Sequence, residues 1–336
     1  MSVVNAVNFA ATHWRGTSVR RIDFAGLGGE EDYVIKRCYK FVRIFFGKQR
    51  GTPYAVLEDG RRTSAVERAL SRAAWWRDLP DNSAFEAYLY LVSGTSIYNA
   101  SAVWQRVNDP YSIPAMRFLV CDVLAFNKKQ LGGRSAADRL LLLQDVADAC
   151  GMPIVDAVVG NTDLDKFVEG ADLLLIQRSA DTYYTERLAY QRKRVVCLYL
   201  VEAETTAAKF FYYHRFIFST ADGMHVYGLG YASFDTMDRK DRRFFSKRLL
   251  EVSERASDED VVLDPKTYGR TGWVPRRVRL RHPVAVDVMV VRTHSSFAHF
   301  LVRPNPMCRI ADRKLLVNVY KELKTLIIKG ATYTVI

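Results

Sequence analysis

The sequence contains little cysteine. Its 336 residues include five cysteines, and no two of them form a CxxC pair. This scarcity excludes a disulfide-rich scaffold and a zinc ribbon. We expect the five side chains to be separate, small buried hydrophobes. They are Cys38, Cys121, Cys150, Cys197 and Cys308.

Long hydrophobic runs are also missing. No stretch of about 18 apolar residues occurs, so no membrane span is expected. The first five residues lack the charged and then apolar pattern of a secretory signal. Together with the few cysteines, this favours an intracellular setting, which is nuclear, cytoplasmic, or viral within an infected cell.

Acidic residues are fewer than basic ones. The chain has 37 Asp and Glu against 49 Lys and Arg, which gives a formal net charge of +12. Hydrophobic residues make up 49% and charged residues 26%, and this globular composition excludes a disordered chain. The length favours two domains over one.

Two segments concentrate the positive charge. Residues 187–194 have the sequence RLAYQRKR and follow Tyr183 and Tyr184, and residues 270–282 have the sequence RTGWVPRRVRLRH. Cations interleaved with aromatic rings suit single-stranded nucleic acid, because bases stack while phosphates pair. The segments therefore favour RNA or a nucleotide as partner, and a solvated basic face is the alternative.

The hydrophobic patterns predict an α+β fold with antiparallel sheets. Residues 1–30 are rich in turn formers, and Gly26–Gly29 lacks the spacing of a phosphate loop. One strand is predicted over 33–46, and one helix over 135–150 with Ser135 as its N-cap. Further strands are predicted at 52–57, 87–98, 117–126, 168–177, 195–201, 210–219, 224–229, 284–291, 297–302 and 326–336, and further helices at 63–76, 239–259 and 314–323.

One segment carries a family pattern. Residues 117–144 have the sequence RFLVCDVLAFNKKQLGGRSAADRLLLLQ. They resemble the strand, loop and helix of mRNA-capping guanylyltransferases and of their relatives among covalent nucleotidyltransferases, the ATP-dependent DNA and RNA ligases. In that family a hydrophobic strand ends in an aspartate, continues through hhAhNG, and leads into an R-x-x-x-x-R-L helix. The matching residues are Asp122, Asn127, Arg134, Arg139 and Leu140.

The resemblance implies a domain organisation. A nucleotidyltransferase-like antiparallel-sheet domain is expected over 1–200, and a smaller OB-like β domain over 201–282. Residues 283–336 are expected to form a β/α tail that packs back on the body.

The resemblance also implies catalytic residues. Lys36, in Lys36–Phe41, takes the place of the lysine that attacks the α-phosphate of GTP and forms a lysyl-GMP. Such a nucleophile must be deprotonated, so its pKa must be lowered. Val168–Leu174 is similar to the acidic motif, which implies Glu169 or Asp172 as a ligand of Mg²⁺ or Mn²⁺.

Phosphate and base contacts are implied at two further motifs. The phosphate-holding strand falls on the first basic segment, and W-x-P-x-R-x-R matches residues 273–279. The expected nucleotide- or RNA-binding residues are Arg192, Lys193, Arg194, Tyr190, Trp273, Arg277 and Arg279.

Several motif residues of the family are absent. The Asp, Gly and Arg that follow the nucleophile in the family are missing after Lys36, and Ser93 and Thr95 stand where the third motif has its acids. Two interpretations stay open. The chain is either a divergent guanylyltransferase that acts on GTP at RNA 5′ ends, or a pseudoenzyme that binds capped RNA as a subunit of a viral or ribonucleoprotein assembly.

The tail carries a second resemblance. Residues 286–302 and 317–329 are similar to the tRNA-splicing endonuclease core, in which a tyrosine, a histidine and a lysine act together. His299 and Lys324 match two of them, but Val291 replaces the tyrosine and cannot accept a proton. A degenerate RNA-processing subunit is therefore the third alternative.

Overall fold

The computed structural model describes residues 2–16, 19–21, 32–160, 162–190, 194–208, 211–228, 276–292, 297–304 and 307–336. It divides the chain into two compact units. The first consists of residues 1–192 together with 324–336, and the second of residues 193–323. The borders expected at 200 and 282 differ from this division, because the strand that starts at Arg194 belongs to the second unit and only the last 13 residues belong to the first.

The first unit contains five of the described helices. They are α1 (Val3–Gly16), α2 (Ser64–Ser71), α3 (Ala100–Arg106), α4 (Ala136–Cys150) and α5 (Leu164–Phe167), with 3-10 turns at Ala74–Trp76 and Pro110–Ala115. Its described strands are β1 (Val19–Arg21), β2 (Tyr33–Cys38), β3 (Val42–Gln49), β4 (Thr52–Leu57), β5 (Ser83–Ser93), β6 (Ser96–Ile97), β7 (Met116–Phe126), β8 (Lys129–Gln130), β9 (Ala157–Val159), β10 (Leu173–Arg178) and β11 (Arg187–Tyr190). Two strands from the end of the sequence, β17 (Thr325–Ile328) and β18 (Ala331–Val335), complete the unit.

These strands form two sheets. The larger has the order β17-β18-β6-β5-β3-β4, with β7 beside β5 and β8 beside β7. The smaller has the order β1-β11-β10-β2-β9. A shared apolar cluster packs Leu175 and Ala189 of the smaller sheet against Tyr88 and Leu119 of the larger. The two sheets therefore face each other, and the side chains between them are buried.

The strand and helix of the family-like segment form as predicted. β7 occupies the strand position, and the Ser135 hydroxyl caps α4 by accepting the Asp138 N–H at 3.1 Å. Gly151, with a φ of 72°, ends α4 in the left-handed conformation that glycine adopts without strain. Both predictions are confirmed.

The prediction for the N-terminal residues is wrong over α1, where a turn-rich segment was expected. Val3, Val7 and Ala10 recur at helical spacing and are buried against the larger sheet. A Cβ on Gly47 of β3 would lie 2.1 Å from Val3 Cγ1, so the glycine lets α1 approach the strand. The glycine cluster at 26–29 lies outside the described residues.

The single strand predicted over 33–46 is two strands. The chain bends at Tyr39–Phe41 between β2 and β3, and the Lys40 N–H donates to Asp172 Oδ2 at 2.7 Å instead of to a neighbouring strand. β2 consequently joins the smaller sheet while β3 joins the larger.

The second unit is an antiparallel sheet with one described helix. Its strands are β12 (Arg194–Ala208), β13 (Phe211–Ser219), β14 (His225–Gly228), β15 (Arg276–Arg292) and β16 (Phe297–Pro304), in the order β14-β13-β12-β15-β16. Helix α6 (Arg313–Lys324) packs Leu316 and Val319 on the apolar core of this sheet. The strands predicted at 210–219 and 224–229 are confirmed and form a hairpin around Asp222-Gly223, whereas the predicted helix 239–259 lies outside the described residues.

The two units together confirm the predicted fold class, an α+β protein with an antiparallel-sheet domain and a smaller β domain. Among the described helices, none is long and apolar enough to cross a membrane.

The expectation of five separate cysteines is wrong for two of them. Cys197 of β12 and Cys308 form a disulfide, although 111 residues separate them in sequence. The other three cysteines are free thiols, and Cys38 and Cys121 are buried in the first unit. The sequence did not predict this disulfide, because no local spacing of the two cysteines indicates it.

Candidate functional site

A pocket lies between the two sheets of the first unit. It is narrow, because its volume of about 10 Å³ has room for about one water molecule. The smaller sheet lines it with Val34, Lys36, Leu175, Gln177 and Arg187, and the larger sheet lines it with Glu86, Tyr88, Cys121 and Asp122. Four charged side chains that are almost fully buried, Lys36, Glu86, Asp122 and Arg187, therefore line one pocket.

Lys36 is the predicted nucleophile, and it lines this pocket from β2. Its side chain is 8% exposed, and its Nζ donates to Asp122 Oδ2 and to the Cys121 carbonyl, each at 2.9 Å. Burial lowers the pKa of Lys36, and the nearby Arg139 lowers it further, although Asp122 acts in the opposite direction. The shift has the sign that a lysine nucleophile needs.

Asp122 is shared between two cations. Besides Lys36 it accepts from Arg139 Nε at 3.0 Å, and Arg139 of α4 is 1% exposed. Burial alone would raise the pKa of Asp122, but Lys36 and Arg139 outweigh it and hold this pKa well below its usual range. The strand aspartate and the helix arginine of the family-like segment are thus brought together.

A second ion-pair network surrounds Glu86 of β5, and the sequence reasoning missed it. Glu86 is fully buried and pairs with Arg43 of β3 and with Arg187, whose Nη1 and Nη2 lie 3.3 Å from the two carboxylate oxygens. The Tyr183 hydroxyl also donates to Glu86. The available signal was Glu86, the single charge inside the otherwise apolar strand β5, which predicts a paired buried ion.

Helix α1 covers this network with one aromatic ring. The half-buried Trp14 indole lies 3.6 Å from Arg43 Cζ and 4.7 Å from Arg187 Cζ, measured to the ring centroid. Such cation–π contacts stabilise desolvated guanidinium groups that salt bridges alone do not satisfy.

The two networks together carry an excess of positive charge. Among the described residues, four buried cations face two carboxylates, so the protonated cluster has two more positive than negative charges. The cations are Lys36, Arg43, Arg139 and Arg187, and the carboxylates are Glu86 and Asp122. Buried charge without a counterion costs several kcal/mol, so the cluster favours an added anion.

Two donors remain for such an anion. In the described part of the chain, Arg187 Nε has no hydrogen-bond partner although its residue is 4% exposed. The Lys36 ammonium has three N–H donors, of which two are used by Cys121 and Asp122. Both residues line the pocket, so both donors are available at its wall.

The predicted metal ligands are not at this pocket. Asp172 accepts from the Lys40 N–H just before β10, and Glu169 is exposed in the turn after α5. Neither lines the pocket, and the carboxylates that do, Glu86 and Asp122, are already paired with cations. Because no carboxylate at this wall is left for Mg²⁺ or Mn²⁺, the described residues do not fit a metal there.

The predicted RNA-binding residues that the structure describes lie in three strands, β11, β12 and β15. The Tyr190 ring is 8% exposed and its hydroxyl donates to Asp165 at 2.7 Å, which leaves no open face for a base.

Arg194 pairs with Glu322 in the second unit. Arg277 and Arg279 lie in β15, opposite Glu204 and Glu202 in the strand register. Arg192, Lys193 and Trp273 lie outside the described residues.

The residues of the endonuclease resemblance lie in different elements. His299 and Val291 are in β16 and β15 of the second unit, and Lys324 ends α6 and belongs to the first unit.

Solved structures that match this chain, with TM-scores below 0.5, include nucleic-acid ligases. The ligase domain of LigD from M. tuberculosis is 12% identical with a TM-score of 0.44, and the match covers 88% of this chain and 98% of that ligase domain. A Lig E DNA ligase is 12% identical with a TM-score of 0.47, and the match covers 86% of this chain and 98% of the ligase chain. An archaeal ATP-dependent RNA ligase is 13% identical with a TM-score of 0.36, and the match covers 52% of this chain and 47% of the ligase chain.

No protein-family model matches the chain, and no curated protein sequence matches it.

Proposed function

We propose that the first unit binds a phosphate group, carried by a guanine nucleotide or by an RNA 5′ end, at the mouth of the pocket between its two sheets, which widens to admit it. The observation that carries the proposal is the unpartnered Nε of the buried Arg187, in a pocket that Lys36 also lines. Arginine and lysine donors are the usual partners of phosphate oxygens in proteins.

The charge balance of the pocket supports an anion. Two surplus cations in a buried cluster attract a group that carries about two negative charges, and a terminal phosphate carries about that much near neutral pH. The Glu86 and Asp122 carboxylates repel it little, since each is neutralised by two cations. The resemblance of residues 117–144 to capping enzymes makes guanine nucleotides and RNA 5′ ends the ligands to test first.

Binding without transfer fits the described contacts better than catalysis. Lys36 is held by Asp122, and no free carboxylate at the pocket holds a divalent metal to activate the phosphate. In this form the protein is a pseudoenzyme that recognises RNA 5′ ends, as a subunit of a viral or RNA-processing complex.

The test is a calorimetric titration of the protein with each of four ligands: GTP, triphosphate-ended RNA, capped RNA and inorganic phosphate. Arg187→Gln removes the unpartnered donor, and we expect affinity for the phosphate-bearing ligand to fall by about 10-fold or more, the value of one charge-assisted hydrogen bond. Arg68→Gln is the matched control, because it makes the same charge change on the exposed surface of α2.

Thermal melting of each variant separates lost binding from lost folding. Equal affinity of Arg187→Gln and the wild type, with both folded, would refute the pocket as the phosphate site. For an Arg187→Gln chain that fails to fold, Lys36→Gln provides the same test, since Arg139 remains to pair with Asp122.

Transfer of GMP to Lys36 is the second candidate, and the lowered pKa of Lys36 favours it. Incubation with α-labelled GTP and Mg²⁺ or Mn²⁺, followed by a denaturing gel, distinguishes the two. A labelled band that disappears in Lys36→Ala establishes a covalent enzyme. Binding without a labelled band establishes the pseudoenzyme.

A further inference from the structure

The second unit brings together three side chains that can bind a soft metal. The sulfur atoms of Cys197 and Cys308 and a carboxylate oxygen of Asp287 all lie within 4.8 Å of one another. Zinc holds thiolates at about 2.3 Å and carboxylate oxygens at about 2.1 Å, so three such ligands of one ion lie within about 4 Å of each other. The disulfide holds the two sulfur atoms closer together than two ligands of one ion, so its reduction lets them separate to the spacing of a zinc site, with Asp287 in reach.

Two of the donors are fixed by the sheet. Cys197 of β12 lies opposite Asp287 of β15 in the strand register. Each stands between core residues of its own strand, Val196 and Leu198 around the cysteine, and Val286 and Val288 around the aspartate. Because successive strand residues point to opposite faces, Cys197 and Asp287 share the face away from this core.

The third donor arrives on a separate segment that is tied to the same strand. The Ala311 N–H donates to the Cys197 carbonyl at 2.8 Å, and the Ala221 N–H donates to the Ala311 carbonyl at 2.9 Å. β13 pairs with β12 only from Tyr199 onward, so residues 307–311 lie along the part of β12 that β13 leaves open. Cys308 is thereby held beside Cys197 by backbone contacts that do not depend on a sulfur–sulfur bond.

We propose that the reduced chain binds a single Zn²⁺ ion through Cys197, Cys308 and Asp287. Two thiolates and one carboxylate suit zinc better than Mg²⁺ or Ca²⁺, which prefer oxygen ligands alone. Both cysteines are half-buried and Asp287 is buried, so the ion is reached from the cysteine side and a water molecule completes its tetrahedral shell.

The disulfide and the zinc site are alternative states of the same cysteines. A dithiol reductant breaks the Cys197–Cys308 bond by supplying two electrons and two protons, and is itself oxidised to a disulfide. Zinc then displaces the two thiol protons as it binds the thiolates. Where glutathione and thioredoxin keep thiols reduced, the zinc form is the one that persists.

The experiment uses the full chain, reduced with a phosphine and then freed of reductant and excess zinc. Metal content is measured by mass spectrometry, and cobalt substitution gives a thiolate-to-metal charge-transfer band. We expect one zinc per chain, loss of zinc and of the cobalt band in Cys197→Ser and in Cys308→Ser, and weaker zinc binding in Asp287→Asn. Cys150→Ser, which removes a half-buried thiol of the first unit, is the matched control and keeps its zinc.

A second measurement needs no variant and so does not depend on how the variants fold. Zinc bound at the proposed site protects Cys197 and Cys308 from alkylation by iodoacetamide, which peptide mapping detects. Equal alkylation with and without zinc would overturn the proposal, and so would zinc retained after both cysteines are replaced. A chain that keeps three titratable thiols under reducing conditions would also overturn it, because the Cys197–Cys308 bond would then be permanent.

Discussion

The two Nη atoms of Arg187 each lie 3.3 Å from one carboxylate oxygen of Glu86, in a place where the glutamate is fully buried. Arg43 pairs with the same carboxylate from a neighbouring strand. One buried glutamate thus joins the two sheets of the first unit, because Arg187 belongs to the smaller sheet while Glu86 and Arg43 belong to the larger.

Glu86→Gln should strongly destabilise the protein. The amide keeps the shape but removes the negative charge, which leaves two buried guanidinium groups without a counterion. We expect the free energy of unfolding to fall by about 3–5 kcal/mol, which is observed as a lower melting temperature. Asp59→Asn, which breaks an exposed pair with Arg61, should cost less than about 1 kcal/mol. Similar losses for the two variants would contradict the role of Glu86.

Asp122 should make the stability of the protein depend on pH in acid. Its folded pKa lies below the unfolded value, so its stabilisation is fully present above the ordinary carboxyl range near pH 4. This stabilisation is lost as the pH falls through that range towards the folded pKa. We expect the melting temperature to fall between neutral pH and about pH 3, and to fall less steeply in Asp122→Asn. Parallel pH curves for the two proteins would show that other carboxyl groups dominate.

Trp14→Ala should loosen α1 from the Glu86 network. The substitution removes the ring that lies against Arg43 and Arg187 and exposes both guanidinium groups. We expect the free energy of unfolding to fall by about 2–3 kcal/mol, because the variant loses both the half-buried aromatic surface and the cation–π contacts. Trp14→Phe keeps a ring over the cations and should recover most of the melting temperature. Equal losses for Ala and Phe would contradict a stabilising contact between an aromatic ring and the two guanidinium groups.

Gly47→Ala should push α1 away from β3. The added methyl group meets Val3 Cγ1 at 2.1 Å and the Ser83 carbonyl oxygen at 2.8 Å. Overpacking of this kind costs about 1–3 kcal/mol. Val3→Ala removes the first of the two clashes, so the double variant should be less destabilised than the sum of the single variants. Strict additivity in a double-mutant cycle of melting experiments would show that Val3 is not what the methyl group meets.

The sequence predicted best what depends on neighbouring residues. The α4 helix followed from its apolar spacing and its Ser135 cap, and β7 from its apolar, β-branched run. The motif singled out Asp122 and Arg139, and the structure adds that they form a hydrogen-bonded ion pair at a sequence separation of 17. Helix α1 carried an equally local signal, in Val3, Val7 and Ala10, which the turn formers after it obscured.

What the sequence could not predict depends on contacts between distant residues. Glu86 meets Arg187 across 101 residues, and Cys197 meets Cys308 across 111, so no spacing rule indicates either pair. The same holds for Asp172, whose carboxylate caps the bend at Lys40 instead of facing Lys36. A charged residue in a buried strand predicts that a partner exists, and the strand order decides which residue it is.

The first unit is discontinuous in the sequence, and this has a consequence for synthesis on the ribosome. β18 pairs with β6, and the Asn99 N–H donates to the Ile336 carbonyl at 2.9 Å, whereas residues 193–323 form the second unit. A nascent chain that has just emerged to residue 192 therefore lacks two strands of its larger sheet and must wait for another 144 residues. The ribosome therefore makes the whole second unit before it makes the last two strands of the first. The first unit begins earlier in the sequence, but its larger sheet is completed later.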